Sequence, residues 1–135
     1  MTGSRGYSVL ELIIALVIAA ILAAMAMPYL ADREANATWF QEQVKAVVRY
    51  GQRQAVANRR TVHVFLTPSE VKLCFDNPCT NELVHQRLSA PSGVVIGTTT
   101  DFSFNGLGRP SLGGTLNFTV GGKTVTVYAE TGYVP

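Results

Sequence analysis

The feature that most constrains this chain is an apolar run near its start. From Leu12 to Met27 every residue is apolar, and the run reaches back to Val9 with one interruption, Glu11. At about 1.5 Å of rise per residue, the roughly 20 residues from Tyr7 to Met27 span a ~30 Å hydrocarbon core as a helix. A carboxylate carried to the bilayer centre costs on the order of 2.5–3.5 kcal/mol, so Glu11 needs a cationic partner there. A chain cut after Gly6 supplies one, because the new α-amino group of Tyr7 would lie four residues upstream.

Three readings compete for this segment. An ordinary secretory signal would use Arg5 as its basic start and Ala24-Met25-Ala26 as its cleavage site. Glu11 interrupts the apolar run where such a signal has no use for a charge, and the run exceeds the ~7–15 residues of a signal core. A plain uncleaved anchor leaves Glu11 idle, although acids inside membranes rarely lack a role. The third reading accounts for all the features together. A short polar leader carries Arg5, Gly6 precedes the cut, and aromatic Tyr7 becomes the first residue. Glu11 is then fifth after the cut, an apolar helix follows, and Pro28 closes the segment. This set resembles the class III signal of type IV pilins and pseudopilins, most of which begin the cut chain with Phe rather than Tyr.

The resemblance implies a leader over 1–6, removed by a prepilin peptidase that also N-methylates Tyr7. It implies a membrane-spanning and filament-core helix over 7–27, with Glu11 and Pro28 as assembly residues, and a periplasmic head over 28–135. The implied partners are other pilin or pseudopilin subunits, the peptidase, an inner-membrane assembly platform and inner-membrane lipid. The implied location is the bacterial inner membrane, single-pass, and then a pilus or pseudopilus. An anchor of this orientation places Cys74 and Cys79 in an oxidising space, where a disulfide is the natural reading.

Beyond Pro28 the helix is expected to continue with a bend. Phe40, Val44, Val47, Gly51 and Ala55 form one helical stripe, with Gly51 small enough for a sheet to approach. The helix should end near Asn58, with Arg59 and Arg60 set against its negative end. Residues 61–135 read as strands. Thr61–Leu66 alternates, Thr67–Glu70 is a turn, and Val71–Phe75 is a second strand. Asp76-Asn77-Pro78 turns inside the cysteine span. Short strands are expected at Glu82–Leu88, Val94–Thr98 and around Phe102 and Phe104. Leu116–Val120 and Thr124–Ala129 should pair through Gly121-Gly122. The expected fold is α+β and pilin-like, a long N-terminal helix packed on one antiparallel sheet of roughly five to seven strands.

The second half also resembles the H-type minor pseudopilins and related minor pilins, the GspH/FimT group. The matching features are the helix end Arg49-Tyr50-Gly51-Gln52-Arg53-Gln54-Ala55-Val56, the loop Phe104-Asn105-Gly106-Leu107-Gly108-Arg109-Pro110 and the tail Thr131-Gly132.

Nothing in the chain reads as a catalytic constellation. His63 and His85 stand alone in strand-like segments, and with Cys74 and Cys79 they lack zinc-ligand spacing. The glycines at Gly106, Gly108, Gly113 and Gly114 lack the strand-to-helix context of a phosphate loop. No metal, no cofactor and no enzyme activity is therefore expected. Lys45, Arg49 and Arg53 repeat at helical spacing, and Arg59, Arg60 and Arg109 add positive charge. Such a stripe can hold DNA phosphates, although solvated helix faces carry similar runs. Some members of the group bind DNA through a Gly-Arg tail, and the tail here, Thr131-Gly132-Tyr133-Val134, has no arginine. The net charge of +2 does not by itself name nucleic acid. The expected function is a minor subunit that primes or caps a pilus or a type II secretion pseudopilus. The alternative is a filament-displayed head for DNA or surfaces.

Overall fold

The computed structural model describes residues 8–83, 87–97 and 100–135. Among the described residues one helix, α1 (Val9–Asn58), precedes seven strands: β1 (Val62–Thr67), β2 (Glu70–Cys74), β3 (Leu88–Ser89), β4 (Ile96–Gly97), β5 (Phe102–Phe104), β6 (Leu116–Val120) and β7 (Lys123–Val127). The chain divides into two compact units, Met1–Arg33 and Glu34–Pro135. Pro28 falls within α1, but its side chain, like the whole of Gly6, Tyr7 and His85, lies outside the described residues.

Both ends of α1 are chemically closed. Ser8 Oγ accepts the Leu10 N–H at 3.3 Å, and the Ser8 carbonyl accepts the Leu12 N–H at 3.1 Å. Ser8 is thus the N-cap, and Glu11 falls at the third helical position, the Ser-x-x-Glu spacing of a capping box. At the other end Arg59 adopts a left-handed φ of 50°. Its N–H donates to the Val56 carbonyl at 3.3 Å, and the Arg60 N–H donates to the Ala55 carbonyl at 3.2 Å. These are the two bonds of a Schellman motif, which satisfy the last carbonyls of the helix. The end at Asn58 matches the expectation.

In the second unit α1 and the strands share one core. Phe40, Val44, Val48 and Ala55 meet Val62, Val64, Val71, Leu73, Phe104, Phe118, Val120, Val125 and Val127, all essentially inaccessible to solvent. Val48 rather than Val47 occupies the centre of the buried stripe, and Val47 packs at its edge. The i, i+4, i+8 row from Phe40 runs through Val44 and Val48, and the core follows that row. Gly51 is buried where expected: a β-carbon there would sit 3.0 Å from Leu73 Cδ2.

The strands form two sheets rather than one. The first has the order β3-β2-β1-β5 and the second β4-β6-β7, and every pairing is antiparallel. Strand β5 gives way to the loop Asn105–Pro110, and Gly113-Gly114 lies between that loop and β6. Of the strand expected over Glu82–Leu88, residues 84–86 lie outside the described residues. Glu82 makes a single bridge to Cys74, Leu83 donates its N–H to the Leu73 carbonyl at 2.8 Å, and pairing resumes at Leu88–Ser89. Cys74 and Cys79 are disulfide-bonded, with Cα atoms 5.5 Å apart. The fold is α+β and pilin-like, with an N-terminal apolar helix and a helical stretch packed on antiparallel sheets.

Candidate functional site

The first candidate surface is the apolar start of α1. Val9–Ala26 has a mean hydropathy of 2.8, enough by length and composition to cross a membrane, and none of it is buried. Leucine, isoleucine and valine are exposed at Leu10, Leu12, Ile13, Ile14, Leu16, Val17, Ile18, Ile21 and Leu22, which covers every direction around the axis. A helix apolar on all sides is stable only inside a protein or a bilayer. Such a helix is consistent with membrane anchoring. Glu11 is the single acid in its first turn, where the positive end of the helix dipole favours it.

The second site is a junction on the head. Gln52, half-buried on α1, donates from Nε2 to the Gly108 carbonyl at 2.9 Å and to the Thr131 carbonyl at 2.7 Å. Arg49 donates from Nε to the Val134 carbonyl at 2.9 Å. The buried Val134 side chain completes the core below it. Helix, glycine loop and C-terminal tail, three separate motifs in the sequence, thus meet at one point. The loop is closed on itself. Asn105 Oδ1 accepts the N–H groups of Leu107 and Arg109, both at 3.0 Å, and the Gly108 N–H donates to the Asn105 carbonyl at 2.8 Å.

The basic residues do not act as one free stripe. Lys45 pairs with Glu42 at 2.8 Å, holding the Glu42 carboxyl below its ordinary range, and Arg49 serves the tail. The Arg60 guanidinium lies 5.0 Å from the Phe75 ring centroid, a cation–π contact. Arg53, Arg59 and Arg109 are exposed. Arg49, Gln52, Arg53, Tyr133 and Val134 line a groove of about 460 Å³.

Of the groups with potential chemistry, His63 stacks against Phe65 with centroids 6.2 Å apart. It lines a polar depression of about 240 Å³ with Asn77, Asp101, Ser103 and Ser111. Ser103 and Ser111 are joined to each other at 3.1 Å, and Asp101 accepts the Leu66 N–H at 3.1 Å. Among the described residues, no three His, Cys, Asp or Glu side chains are grouped to hold a metal ion.

Several functional placements escape sequence reasoning. The Ser8 cap was written in the Ser-x-x-Glu spacing and could have been found there. The Gln52 junction gives no local signal, because its partners lie 56 and 79 residues away. Asp76 is bound by Thr80 and Asn81 inside the disulfide turn, a pattern that an Asp opening a turn does suggest.

No curated protein and no solved structure matches the chain. Residues 1–27 match a family model described as the prokaryotic N-terminal methylation motif. That motif implies processing by prepilin peptidase and assembly with other pilins, and with the apolar helix it is consistent with membrane anchoring and a pilus filament. The chain carries this motif, and the motif supports a place in the type IV pilin and pseudopilin family, as a type IV pilin-like subunit.

Proposed function

We propose that this chain is a minor subunit of a type IV pilus or type II secretion pseudopilus. A prepilin peptidase cuts it after Gly6 and methylates Tyr7. The helix over 7–27 then waits in the inner membrane with the head in the periplasm, and the subunit primes or caps a filament. The observation that carries this reading is the methylation motif over residues 1–27, followed by a helix with apolar side chains on all sides and one acid, Glu11. Entry into the filament exchanges lipid for neighbouring helices, so little apolar area is gained. Pairing of Glu11 with a Tyr7 amine therefore sets register more than affinity. No catalytic role and no cofactor is assigned to the head.

An intact-mass spectrum of the chain purified from membranes tests this. The expected mass is that of a chain beginning at Tyr7, with one added methyl group and two hydrogens fewer for the Cys74–Cys79 bond. Gly6→Val should leave the uncut precursor. A chain beginning at Met1, or trimmed after Ala26, would overturn the reading.

The groove beside Tyr133 favours a second reading, a head that binds nucleic acid. Exposed Arg53 and exposed Tyr133 share it, and an aromatic ring beside a cation suits a stacked base and its phosphate. A gel shift with the detergent-solubilised chain at two salt concentrations distinguishes the two. A salt-sensitive shift supports binding, and no shift at micromolar protein excludes it.

A further inference from the structure

We propose that the polar depression on the outward face of the first sheet binds a neutral sugar ring, the terminal hexose of a glycan. The depression measures about 240 Å³. Strand β1 builds its floor. Val62, Val64 and Leu66 are buried in the core, and the alternation turns His63 and Phe65 to the other face. Their rings lie 6.2 Å apart at 29° and are half-buried there, an aromatic floor between two polar walls.

One wall comes from the side of β5, where Ser103 stands opposite His63. Ser111 Oγ accepts the Ser103 N–H at 2.9 Å and the Ser103 hydroxyl at 3.1 Å. Both its lone pairs are thereby used, which leaves its own hydroxyl proton to donate to a ligand. Beside them, Asp101 accepts the Leu66 N–H on Oδ1 at 3.1 Å, and this bond fixes the carboxylate as an acceptor at the rim. The other wall comes from the side of β2. Cys74 is the partner of His63 there, and its bond to Cys79 closes the loop that carries Asn77 to the depression. Asp76 pins that loop by accepting the N–H groups of Thr80 and Asn81 at 3.1 and 2.9 Å. The Asn77 amide both donates and accepts.

These groups select among ligand classes. An anion would meet the Asp101 carboxylate, with no lysine or arginine in the lining to offset it. A cation has no acceptor for the Ser111 and Asn77 donors. A metal ion needs a denser set, and among the described residues no three His, Cys, Asp or Glu side chains are grouped to hold one. A sugar ring answers every group at once. Each of its hydroxyls both donates and accepts, and its C–H face can lie flat on the aromatic floor. The volume falls below the ~300–1,000 Å³ of drug-sized sites, which suits one ring with the rest of the glycan outside. Asn77, Asp101 and Ser111 are exposed and leave the entry open to such a chain. This binding is independent of the filament reading above.

The test uses the full chain in lipid nanodiscs, which avoids detergents with sugar head groups, and follows isotope-labelled histidine by NMR. The probes are methyl glucoside, methyl galactoside and methyl mannoside, then neutral polysaccharides of the same sugars, then vesicles carrying galactosylceramide. The His63 ring signals, identified by their loss in His63→Gln, should shift with at least one methyl hexoside at millimolar concentration. Asn77→Ala and Ser111→Ala should each weaken that sugar on the order of tenfold, since each leaves a sugar hydroxyl unmatched. An unchanged urea midpoint in Asn77→Ala, whose side chain is exposed, separates lost binding from lost folding. Polysaccharide or glycolipid binding that is again weakened by Asn77→Ala upholds the site and names the source of the ring. No shift with any of the three hexosides, or a shift unmoved in both variants, overturns the proposal. Tighter binding of a sugar phosphate or of choline than of every neutral sugar overturns the ligand class.

Discussion

Gly132 holds the tail in place because it has no side chain. Its φ is 67°, and a β-carbon would meet Gln52 Nε2 at 2.7 Å, Phe104 Cε1 at 2.8 Å and the Gly108 carbonyl at 3.0 Å. Gly132→Ala should cost at least about 2 kcal/mol, since the left-handed conformation alone carries roughly 1–2 kcal/mol for a residue with a β-carbon. Urea unfolding of the full chain in detergent measures it, and a loss under half that value would mean the tail shifts freely. Asp76 makes a different kind of residue-scale prediction. The Thr80 hydroxyl, then the Asn81 N–H and the Asn81 and Thr80 groups around it, hold its carboxyl down from 3.8 to about 2. A carboxyl depressed in the folded state stabilises above its ordinary value and loses that contribution as pH falls through its folded value. The urea midpoint should therefore decline as pH drops from 3.8 toward about 2. Asp76→Asn should flatten that part of the curve, and an unchanged slope would remove the carboxyl from the account.

At the scale of elements, α1 changes task along its length. Its start is apolar in every direction, whereas from Ala37 on the buried face runs through Phe40, Gln41, Val44, Val48, Gly51 and Ala55. Val48→Ala should cost about 2 kcal/mol, from two lost carbons at ~0.8 kcal/mol each plus a small cavity. Val47→Ala, at the edge, should cost under about 1 kcal/mol by the same reckoning. Equal losses would mean that the core is centred elsewhere. The shift of one residue shows what patterning resolves. The end of α1 at Asn58, the β1–β2 hairpin and the Gly121-Gly122 hairpin were legible because each is set by local chemistry: the helix's closing turn, alternation and turn glycines. Strand β4 lies inside the expected Val94–Thr98, whereas β3 meets the expected Glu82–Leu88 only at Leu88, because a strand of two residues pairs only where a neighbour offers an edge. The split into two sheets was likewise hidden, since it depends on where distant segments meet. At the candidate sites, the apolar helix and Glu11 could be read directly. The gathering of Gln52, Gly108 and Thr131 could not, because proximity in space leaves no mark in spacing along the chain.

For the molecule as a whole, the governing fact is an apolar helix of which none is buried. Lipid and neighbouring helices are about equally apolar, so exchanging one for the other releases little free energy. Polar contacts then decide which helix sits where and in what register. Glu11 is the one acid of the first turn and the one group there able to discriminate. In the proposed filament it is matched by the Tyr7 amine, within one chain or from a neighbour. Glu11→Ala separates insertion from assembly. Removing a carboxylate lightens insertion, which for an acid at the bilayer centre carries a penalty of about 2.5–3.5 kcal/mol. The variant should therefore reach the membrane as well as the parent chain. Polar contacts within membranes contribute roughly 1–2 kcal/mol, which corresponds to on the order of a tenfold loss of filament incorporation. Fractionation of cells into membrane and sheared filament reads both quantities at once. Loss from the membrane fraction would make Glu11 an insertion signal, whereas full incorporation of Glu11→Ala would show that apolar packing alone sets the register.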